Sequence, residues 1–307
     1  MQLDQRANFY LINKPRNYTS QDVCSVIKNK YNYNKVGHSG TLDPLATGLL
    51  VVATNSYTKL LPYITKYDKT YIVQAIFGHR SESGDMGTNI DKVEDYYVKD
   101  SIDLINKGIK TFVGSIEQIP SKYSAIKVKG KRLYKYAREN IEVEIPSRNV
   151  EIKKFELNRV IDINTAEFYV NCSSGTYIRT LIEDLAKSIG TNAVVKSLNR
   201  IKVGDIHVDL SLNIDTLPVK KEIEKYTHSY NDILSIPTIF ASRSMLNNIQ
   251  NGGFINSSEF NSKDDHLIVY EDKVIAVYRI FNKKFFKPVK VLIWVFFSMM
   301  IFQKILN

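Results

Sequence analysis

The sequence has little cysteine, and this scarcity excludes several classes of protein. Of 307 residues only Cys24 and Cys172 are cysteines, and the five histidines are scattered along the chain. Two cysteines cannot build the disulfide framework of a small secreted protein, and no group of residues has the spacing of a metal site. Neither a Walker lysine motif nor GxGxxG after a strand is present. The sequence therefore predicts no metal and no cofactor.

Segments that would target or anchor the chain are also missing. The N-terminal stretch MQLDQRANFYLINKP lacks the apolar core of a signal peptide. The apolar run VLIWVFFSMMIF at 291–302 is shorter than the about 20 residues that cross a bilayer. This run is open to three interpretations: a buried terminal strand, an abnormal extension of the reading frame, or a membrane anchor. Its length favours the first two, so we expect a cytoplasmic protein without a membrane partner.

What the chain has in excess is positive charge. Lysine and arginine number 42 against 32 acidic residues, a formal charge of +10. Such a surplus favours a polyanionic partner, either nucleic acid or an acidic membrane surface. Nineteen tyrosines and fourteen phenylalanines offer surfaces on which unpaired bases can stack, although most should lie in the core. The length predicts one large domain plus a smaller one, which a change in composition near residue 233 separates.

Hydrophobic patterning predicts a mixture of strands and helices. Strands are expected at 9–12, 49–54, 69–78, 148–156 and 165–172, where apolar residues alternate or run together. A helix capped by Thr19 or Ser20 should follow over 21–31, and another over 175–188, ending at Gly190. Residues 81–110 are polar and predict a loop followed by a helix. One short helix and a small set of strands are expected after 233.

The segment VGHSGTLDPLATGLL at 36–50 contains a single carboxylate, Asp43, in an otherwise lysine-rich neighbourhood. Aspartate before proline is a typical helix start, because the carboxylate caps the first turn and proline fits the first helical position. Local chemistry alone favours this capping interpretation. A catalytic carboxylate is the alternative, and the rest of the chain must decide between them.

Three further segments combine residues typical of nucleic-acid chemistry: NKPRNYTS at 13–20, YSAIKVKGKRLYKYAREN at 123–140 and CSSGTYIRTLIEDLAKSIG at 172–190. Six of the twelve residues at 127–138 are basic, and tyrosines lie between them. This run is equally consistent with a solvated face and with a surface that binds RNA phosphates and bases.

The four segments together resemble the signature segments of the bacterial tRNA pseudouridine synthase B family, in the same order and spacing from about residue 9 to 206. The resemblance implies an α+β fold, with a mixed central sheet flanked by helices and a small C-terminal PUA-like domain. The expected division is a catalytic domain at 1–232, a PUA-like RNA-binding domain at 233–292 and an apolar tail of unknown role at 293–307. The implied reaction is the conversion of uridine to pseudouridine at position 55, in the T-arm of tRNA, by a monomeric enzyme.

The resemblance also assigns roles to three catalytic residues. Asp43 becomes the essential carboxylate, acting as a nucleophile or removing a sugar proton to give a glycal. Arg179 becomes the cation that pairs bidentately with Asp43 and holds its pKa down. Tyr71 becomes the candidate for moving the C5 proton. Without the resemblance, Arg179 would be interpreted as a surface helix residue and Tyr71 as a core residue.

Four further positions match family residues that bind the substrate. His38 would contact the flipped nucleotide, whereas Tyr177 and Leu198 would line the uracil pocket. Lys14 belongs to the first motif, which supports the catalytic loop and is counted with the substrate-binding residues. In isolation, His38 would be interpreted as a turn residue.

The chain departs from the family pattern at several positions, and its sequence leaves two alternative functions to weigh. Asn13 and Asn17 replace an acid and a glycine, Ser121 replaces a proline, and Asn199 replaces an arginine. A guide-RNA-dependent relative shares GHSGTLDP but lacks the segment at 123–140. An RNA-binding protein that helps tRNA to fold is a second alternative. Phosphoryl transfer through Asp43 is disfavoured, because no second acidic residue is expected nearby to hold Mg²⁺.

Overall fold

The computed structural model describes residues 7–124, 126–139, 141–256 and 264–292. A ten-stranded sheet, a five-stranded sheet, two two-stranded sheets and a set of helices make up this part of the chain, which confirms the predicted α+β class. The helices are α1 (Ser20–Tyr31), α2 (Leu61–Thr65), α3 (Ile102–Phe112), α4 (Leu133–Arg138), α5 (Ile178–Ser188), α6 (Tyr230–Ile233) and α7 (Leu246–Gln250).

The strands of the first half are β1 (Phe9–Lys14), β2 (Val36–His38), β3 (Thr47–Thr54), β4 (Lys69–Phe77), β5 (His79–Ser81), β6 (Ile90–Lys92), β7 (Gly114–Gln118), β8 (Lys127–Val128) and β9 (Lys131–Arg132). The strands that follow are β10 (Arg148–Val160), β11 (Thr165–Cys172), β12 (Ala193–Val203), β13 (Ile206–His207), β14 (Leu212–Asn213), β15 (Thr238–Phe240), β16 (Ile255–Asn256), β17 (His266–Tyr270), β18 (Lys273–Ile280) and β19 (Phe285–Val291).

The central sheet has the order β14-β1-β3-β12-β4-β11-β10-β7, with β2 added to β3 and β13 to β12. The β1–β14 and β3–β12 pairs are parallel and the others antiparallel, so the sheet is mixed, as the family resemblance implied. β12 and β4 form the middle of the sheet. Their register places Arg200 opposite Tyr71 and Leu198 opposite Val73.

Helix α1 shows how local sequence signals set the elements around the site. Thr19 is its N-cap, and Thr19 and Asp22 form a reciprocal capping box. Its C-cap, Asn32, adopts the left-handed conformation that asparagine tolerates. Val23 and Ile27 are buried in a hydrophobic cluster against β1 and β3. The helix is therefore fixed in position next to the loop that carries Asp43.

Helices α3 and α5 cover one face of the central sheet. Leu181 and Leu185 of α5 and Ile105 and Ile109 of α3 pack in one cluster with Phe168 and other buried residues of the strands. Gly108 permits the close approach of the two helices, because a Cβ there would lie 2.8 Å from Ile189. This packing fixes the N-terminal turn of α5, where Arg179 lies.

The second sheet has the order β15-β17-β18-β19-β16 and is built from residues after the change in composition near 233. One of its faces shares a hydrophobic cluster with the central sheet, in which Leu267 and Val277 pack with Phe9 and Leu49. Polar contacts join the same two parts, since Lys59 Nζ donates to the carbonyl of Val291 at 2.7 Å.

Three predictions about elements need correction or lie outside the structure. The helix predicted from residue 175 begins at Ile178, with Tyr177 as its N-cap. No helix follows Asp43, because Pro44 and Leu45 form a turn that leads into β3. Most of the apolar run at 291–302 lies outside the described residues, where Val291 ends β19 and Leu292 is buried. Among the described residues, no helix is long and apolar enough to span a membrane.

Candidate active site

The loop that carries Asp43 is closed by a turn of its own and anchored to two elements, α1 and β12. The amide of Ala46 donates to the carbonyl of Asp43 at 3.1 Å and closes the turn. Ser20, at the start of α1, bonds Leu42 twice: its hydroxyl donates to the carbonyl at 3.2 Å and accepts from the amide at 2.9 Å. Arg200 of β12 donates to the carbonyl of Gly40 at 3.1 Å. Asp43 is therefore a loop residue in a fixed position and not a helix cap.

Asp43 lies in a cleft of about 500 Å³ at the surface of the central sheet. Six of the seven predicted site residues line this cleft: His38, Asp43, Tyr71, Tyr177, Arg179 and Leu198. They come from β2, the anchored loop, β4, the start of α5 and β12. The fold thus brings together residues that are far apart in the sequence.

Lys14 is the predicted residue that the structure does not place in the cleft. Its side chain is fully buried, and its ammonium donates to the carbonyls of Pro15, Tyr18 and Pro44 at 2.8, 2.6 and 3.3 Å. With its three N–H groups directed at carbonyl oxygens, Lys14 has no proton left for a substrate. The assignment of Lys14 to substrate binding is corrected: it holds the turn at 15–18 against the loop of Asp43.

Arg179 forms the predicted ion pair with Asp43. Its Nη2 lies 3.0 Å from Asp43 Oδ2, and its side chain is 6% exposed against 38% for Asp43. The pair is not bidentate, because Arg179 Nη1 lies 3.5 Å from Asp85 Oδ2 and donates to the carbonyl of Ser83 at 2.7 Å. Nη2 also donates to the carbonyl of Tyr123 at 3.1 Å. One guanidinium therefore serves two carboxylates.

Asp85 corrects the expectation that no second acid lies near Asp43. It is distant in the sequence, yet it approaches the other side of Arg179. Among the described residues, however, no group of three or more histidine, cysteine, aspartate or glutamate side chains could hold a metal ion. The second carboxylate thus belongs to an arginine-centred network.

Burial in the cleft raises the pKa of Asp43, and the charge of Asp85 raises it further. The charge of Arg179 acts in the opposite direction and lowers this pKa. We expected Arg179 to hold the pKa of Asp43 below its usual value, but desolvation outweighs the cation. The ionised carboxylate therefore depends on Arg179, because without it nothing comparable would offset the cost of burial.

Tyr71 is 8% exposed and lies at the buried base of the cleft. Burial raises the pKa of its hydroxyl, whereas the charge of Arg200 lowers it. The alternating pattern of β4 predicts that Tyr71 is a core residue, and its burial agrees with this prediction. The side chain also lines the cleft.

The backbone of Tyr177 is held by the side-chain amide of Gln118, on the edge strand β7. Gln118 Nε2 donates to the carbonyl of Tyr177 at 3.0 Å, and the amide of Tyr177 donates to Gln118 Oε1 at 2.7 Å. The guanidinium of Arg148, the strand partner of Gln118, lies over the tyrosine ring at 5.4 Å. One face of the ring is thus covered by a cation, and the residue is fixed at the cleft wall.

His38 is neutral in this environment, because burial lowers the pKa of its ring to about 4. Its Nδ1 is buried and has no hydrogen-bond partner among the described residues. Leu198 contributes an apolar wall from β12. A neutral ring beside an apolar side chain suits contact with a planar, uncharged base.

Sequence reasoning missed four residues that build the site: Asp85, Gln118, Arg200 and Lys69. Arg200 and Lys69 line the cleft and are buried, at 1% and 5% exposure. Lys69 donates to the carbonyls of Thr65 and Tyr67 at 2.6 and 2.5 Å, and burial lowers its pKa to about 8. Arg200 could not be recognised as an unusual arginine in the middle of a central strand, because the strand around it, β12, was not predicted.

Comparisons with known proteins agree with the resemblance. Residues 28–178 match the model of the N-terminal domain of TruB family pseudouridylate synthases. The tRNA pseudouridine synthase B of Lactobacillus johnsonii is 34% identical over 279 residues, which cover 88% of this chain and 93% of the relative. That of Salmonella typhimurium is 41% identical over 207 residues, covering 67% of this chain and 65% of the relative.

Solved structures show the same fold at low identity. A Cbf5–Nop10–Gar1 complex contains a chain that is 20% identical to this one, with a TM-score of 0.68 over 93% of this chain and 85% of that chain. An H/ACA ribonucleoprotein bound to a substrate RNA containing 2′-deoxyuridine gives the same TM-score of 0.68 at 19% identity, with the same coverage. These likenesses support the fold, including the small second sheet, and carry no information about guide RNA in this chain.

Proposed function

Because the chain belongs to the TruB family of pseudouridylate synthases, we propose that it converts uridine to pseudouridine at position 55, in the T-loop of tRNA. Its curated relatives are named tRNA pseudouridine synthase B, so the chain is an isomerase that acts on uridine in tRNA. The choice of the T-loop rests on the signature segments and on the site described above.

The contact between Arg179 and Asp43, at 3.0 Å, is the observation that carries the proposal. The reaction breaks the bond between C1′ and N1, rotates the uracil and joins C1′ to C5. Both routes to this outcome use an ionised carboxylate, either to bond to C1′ or to remove a sugar proton and leave a glycal. A carboxylate that is partly exposed in a cleft and held by a buried guanidinium fits this requirement.

The remaining side chains of the cleft would receive the base. A uridine in a folded loop must leave its stack, which costs a few kcal/mol. Tyr177 offers a flat ring and Leu198 an apolar side chain to the uracil, and His38 lies at the same cleft. Tyr71, at the base, is the candidate acceptor of the C5 proton after the new bond has formed.

The basic hairpin formed by β8 and β9 and the helix α4 supply a candidate surface for the T-arm. Lys129, Arg132 and Lys135 are exposed there, and the carbonyl of Tyr123, just before the hairpin, accepts a bond from Arg179. RNA that binds the hairpin would therefore lie next to the cleft. The proposed division is a catalytic unit at 1–232 and a PUA-like RNA-binding unit at 233–292, within a cytoplasmic monomer.

A direct assay tests the proposal. Purified protein is incubated with an unmodified tRNA transcript, without guide RNA, added metal or cofactor, and pseudouridine is mapped along the product. We expect modification at position 55 alone. A product modified at another position would contradict the assignment to the T-loop, and dependence on a guide RNA would favour the guide-dependent relatives.

A further inference from the structure

Arg200 is a buried cation for which the proposed function gives no role. Its side chain is 1% exposed, and no ion pair with a carboxylate includes it in the part of the chain that the structure describes. A buried charge without an ionic partner lowers stability unless other interactions compensate. A residue of this kind in a cleft is therefore a candidate for a role in the reaction.

The backbone fixes the guanidinium of Arg200 in place. Its Nε donates to the carbonyl of Leu49 at 2.8 Å and its Nη2 to the carbonyl of Gly40 at 3.1 Å. Gly40 has a φ of 81°, and a Cβ there would lie 3.6 Å from Nη1. The group is thus immobilised between β3 and the loop of Asp43, and its remaining N–H groups keep a fixed direction.

Tyr71 is the immediate neighbour of Arg200 across the central sheet. The two residues are paired in the β4–β12 register, and both side chains line the cleft. On the other side of Tyr71 the paired residue is Val170, which has no polar side-chain group. Burial raises the pKa of Tyr71, and Arg200 is the first of the groups that lower it.

We infer that Arg200 is a positioning residue for Tyr71, whose hydroxyl oxygen it fixes and polarises for removal of the C5 proton. This inference rests on the proposed function. A guanidinium can only donate hydrogen bonds, so in any hydrogen bond between the two groups the tyrosine oxygen is the acceptor. The remaining lone pair, or the proton of the hydroxyl, is then directed into the cleft, where the substrate base would lie.

The proton balance explains why a cation is needed at this position. After C1′ has bonded to C5, that carbon carries both the sugar and its hydrogen. The hydroxyl of Tyr71 first gives its proton to water, and its oxygen then takes the C5 proton. The electron pair of the C–H bond becomes the double bond between C5 and C6, and the π pair of the bond between C6 and N1 moves to N1, which takes a proton from water. The fixed charge of Arg200 stabilises the negative oxygen that accepts this proton, because an opposite charge nearby favours the ionised form and lowers the pKa of Tyr71.

The first experiment measures which step Arg200 affects. R200M removes the charge but keeps much of the aliphatic stem, and R200K restores a charge without the planar fork. Single-turnover rates at saturating tRNA are compared for target uridine carrying hydrogen or deuterium at C5. We expect R200M to be about 10- to 100-fold slower, below the about 10²–10⁴-fold that a missing general base costs. Its deuterium isotope effect should rise, and R200K should be intermediate in both.

R159K and R159M are the matched controls. Arg159 forms a two-point contact with Glu167, at 2.9 and 3.1 Å, on a strand outside the cleft. These variants should change neither the rate nor the isotope effect. If R200M and R200K lose rate without any increase in the isotope effect, Arg200 does not act on C5 proton removal and the inference is wrong.

A second measurement does not depend on activity. Protein labelled with ¹³C at the ζ carbon of tyrosine gives an NMR signal for Tyr71, which is assigned by its loss in Y71F. We expect this signal to move in R200K and R200M and to stay in place in R159K. If the Tyr71 signal does not move in R200K, the inference is wrong, even if the wild type makes no pseudouridine. Failure of the proposed function and failure of this inference are thus distinguishable.

Discussion

Asp43 is the residue whose loss should have the largest effect on activity. D43N replaces the carboxylate by an amide of the same shape that cannot act as nucleophile or base. We expect unchanged affinity for tRNA and no pseudouridine, measured by filter binding and by product mapping. Measurable turnover by the purified variant would show that another group supplies the chemistry.

The pKa of Asp43 predicts how activity depends on pH. Since burial raises this pKa, the active ionised form should disappear as the pH falls through a value above that of an ordinary carboxyl group. The charge of Asp85 contributes to the increase, so D85N should move the acidic limb of the single-turnover profile to lower pH. D91N, which removes an exposed carboxylate beside Arg80, is the control and should leave the limb unchanged.

Arg179 should be needed for rate more than for affinity. R179K keeps a charge but cannot contact Asp43, Asp85 and two carbonyls at once, since an ammonium lacks the planar fork. We expect the rate to fall by on the order of 100-fold, the cost of losing one preorganised contact in an active site. A normal single-turnover rate combined with weaker tRNA binding would instead identify Arg179 as a phosphate contact.

At the scale of elements, α1 should matter to catalysis through one hydroxyl. Ser20 is the point at which the helix holds the loop at Leu42. S20A should lower kcat with little change in affinity, because the carboxylate next to Leu42 loses its fixed position. T19A removes the N-cap of the same helix and should cost about 0.5–2 kcal/mol of stability without a selective effect on kcat. Equal effects of the two variants on kcat would contradict this role.

The hairpin of β8 and β9 should supply contacts to phosphates. Lys131 forms an ion pair with Glu139 inside this element, so the exposed residues Lys129, Arg132 and Lys135 are the ones to neutralise. Their joint replacement by glutamine should weaken tRNA binding and lower the slope of its salt dependence by about one unit per lost contact.

The control for the hairpin variant neutralises three exposed lysines near and on α3: Lys99, Lys107 and Lys110. It has the same change in net charge and should keep the wild-type slope. If both triple variants behave alike, the hairpin is a solvated face and tRNA binds elsewhere.

The strands that the sequence predicted have apolar residues that alternate or run together, whereas polar residues interrupt the pattern of the central strand that it missed. β1, β3, β4 and β11 are largely buried, and their apolar patterns predicted them. β12 lies in the middle of the sheet but was not predicted, because Ser197, Asn199 and Arg200 interrupt its apolar pattern. Asp85 could not be found from the sequence either, since its approach to Arg179 depends on how a polar segment folds over α5.

At the scale of the whole molecule, the two sheets share one hydrophobic cluster. We therefore expect a single cooperative unfolding transition, with equal calorimetric and van't Hoff enthalpies. L267A removes a fully buried side chain from this cluster and should cost about 2–5 kcal/mol while the transition stays single. L210A, at a position that is 62% exposed, is the control. Two resolved transitions in the wild type would show that the sheets fold independently.

The three anchors of the loop at 38–46 decide which partner changes shape during recognition. Ser20, Lys14 and Arg200 already hold its backbone through Leu42, Pro44 and Gly40. Little conformational entropy is left for this loop to lose when RNA arrives. The deformation therefore falls on the nucleic acid, which must unstack and extrude one nucleotide. We therefore expect the enzyme to favour RNA loops that open readily, because its own loop does not change shape to fit them.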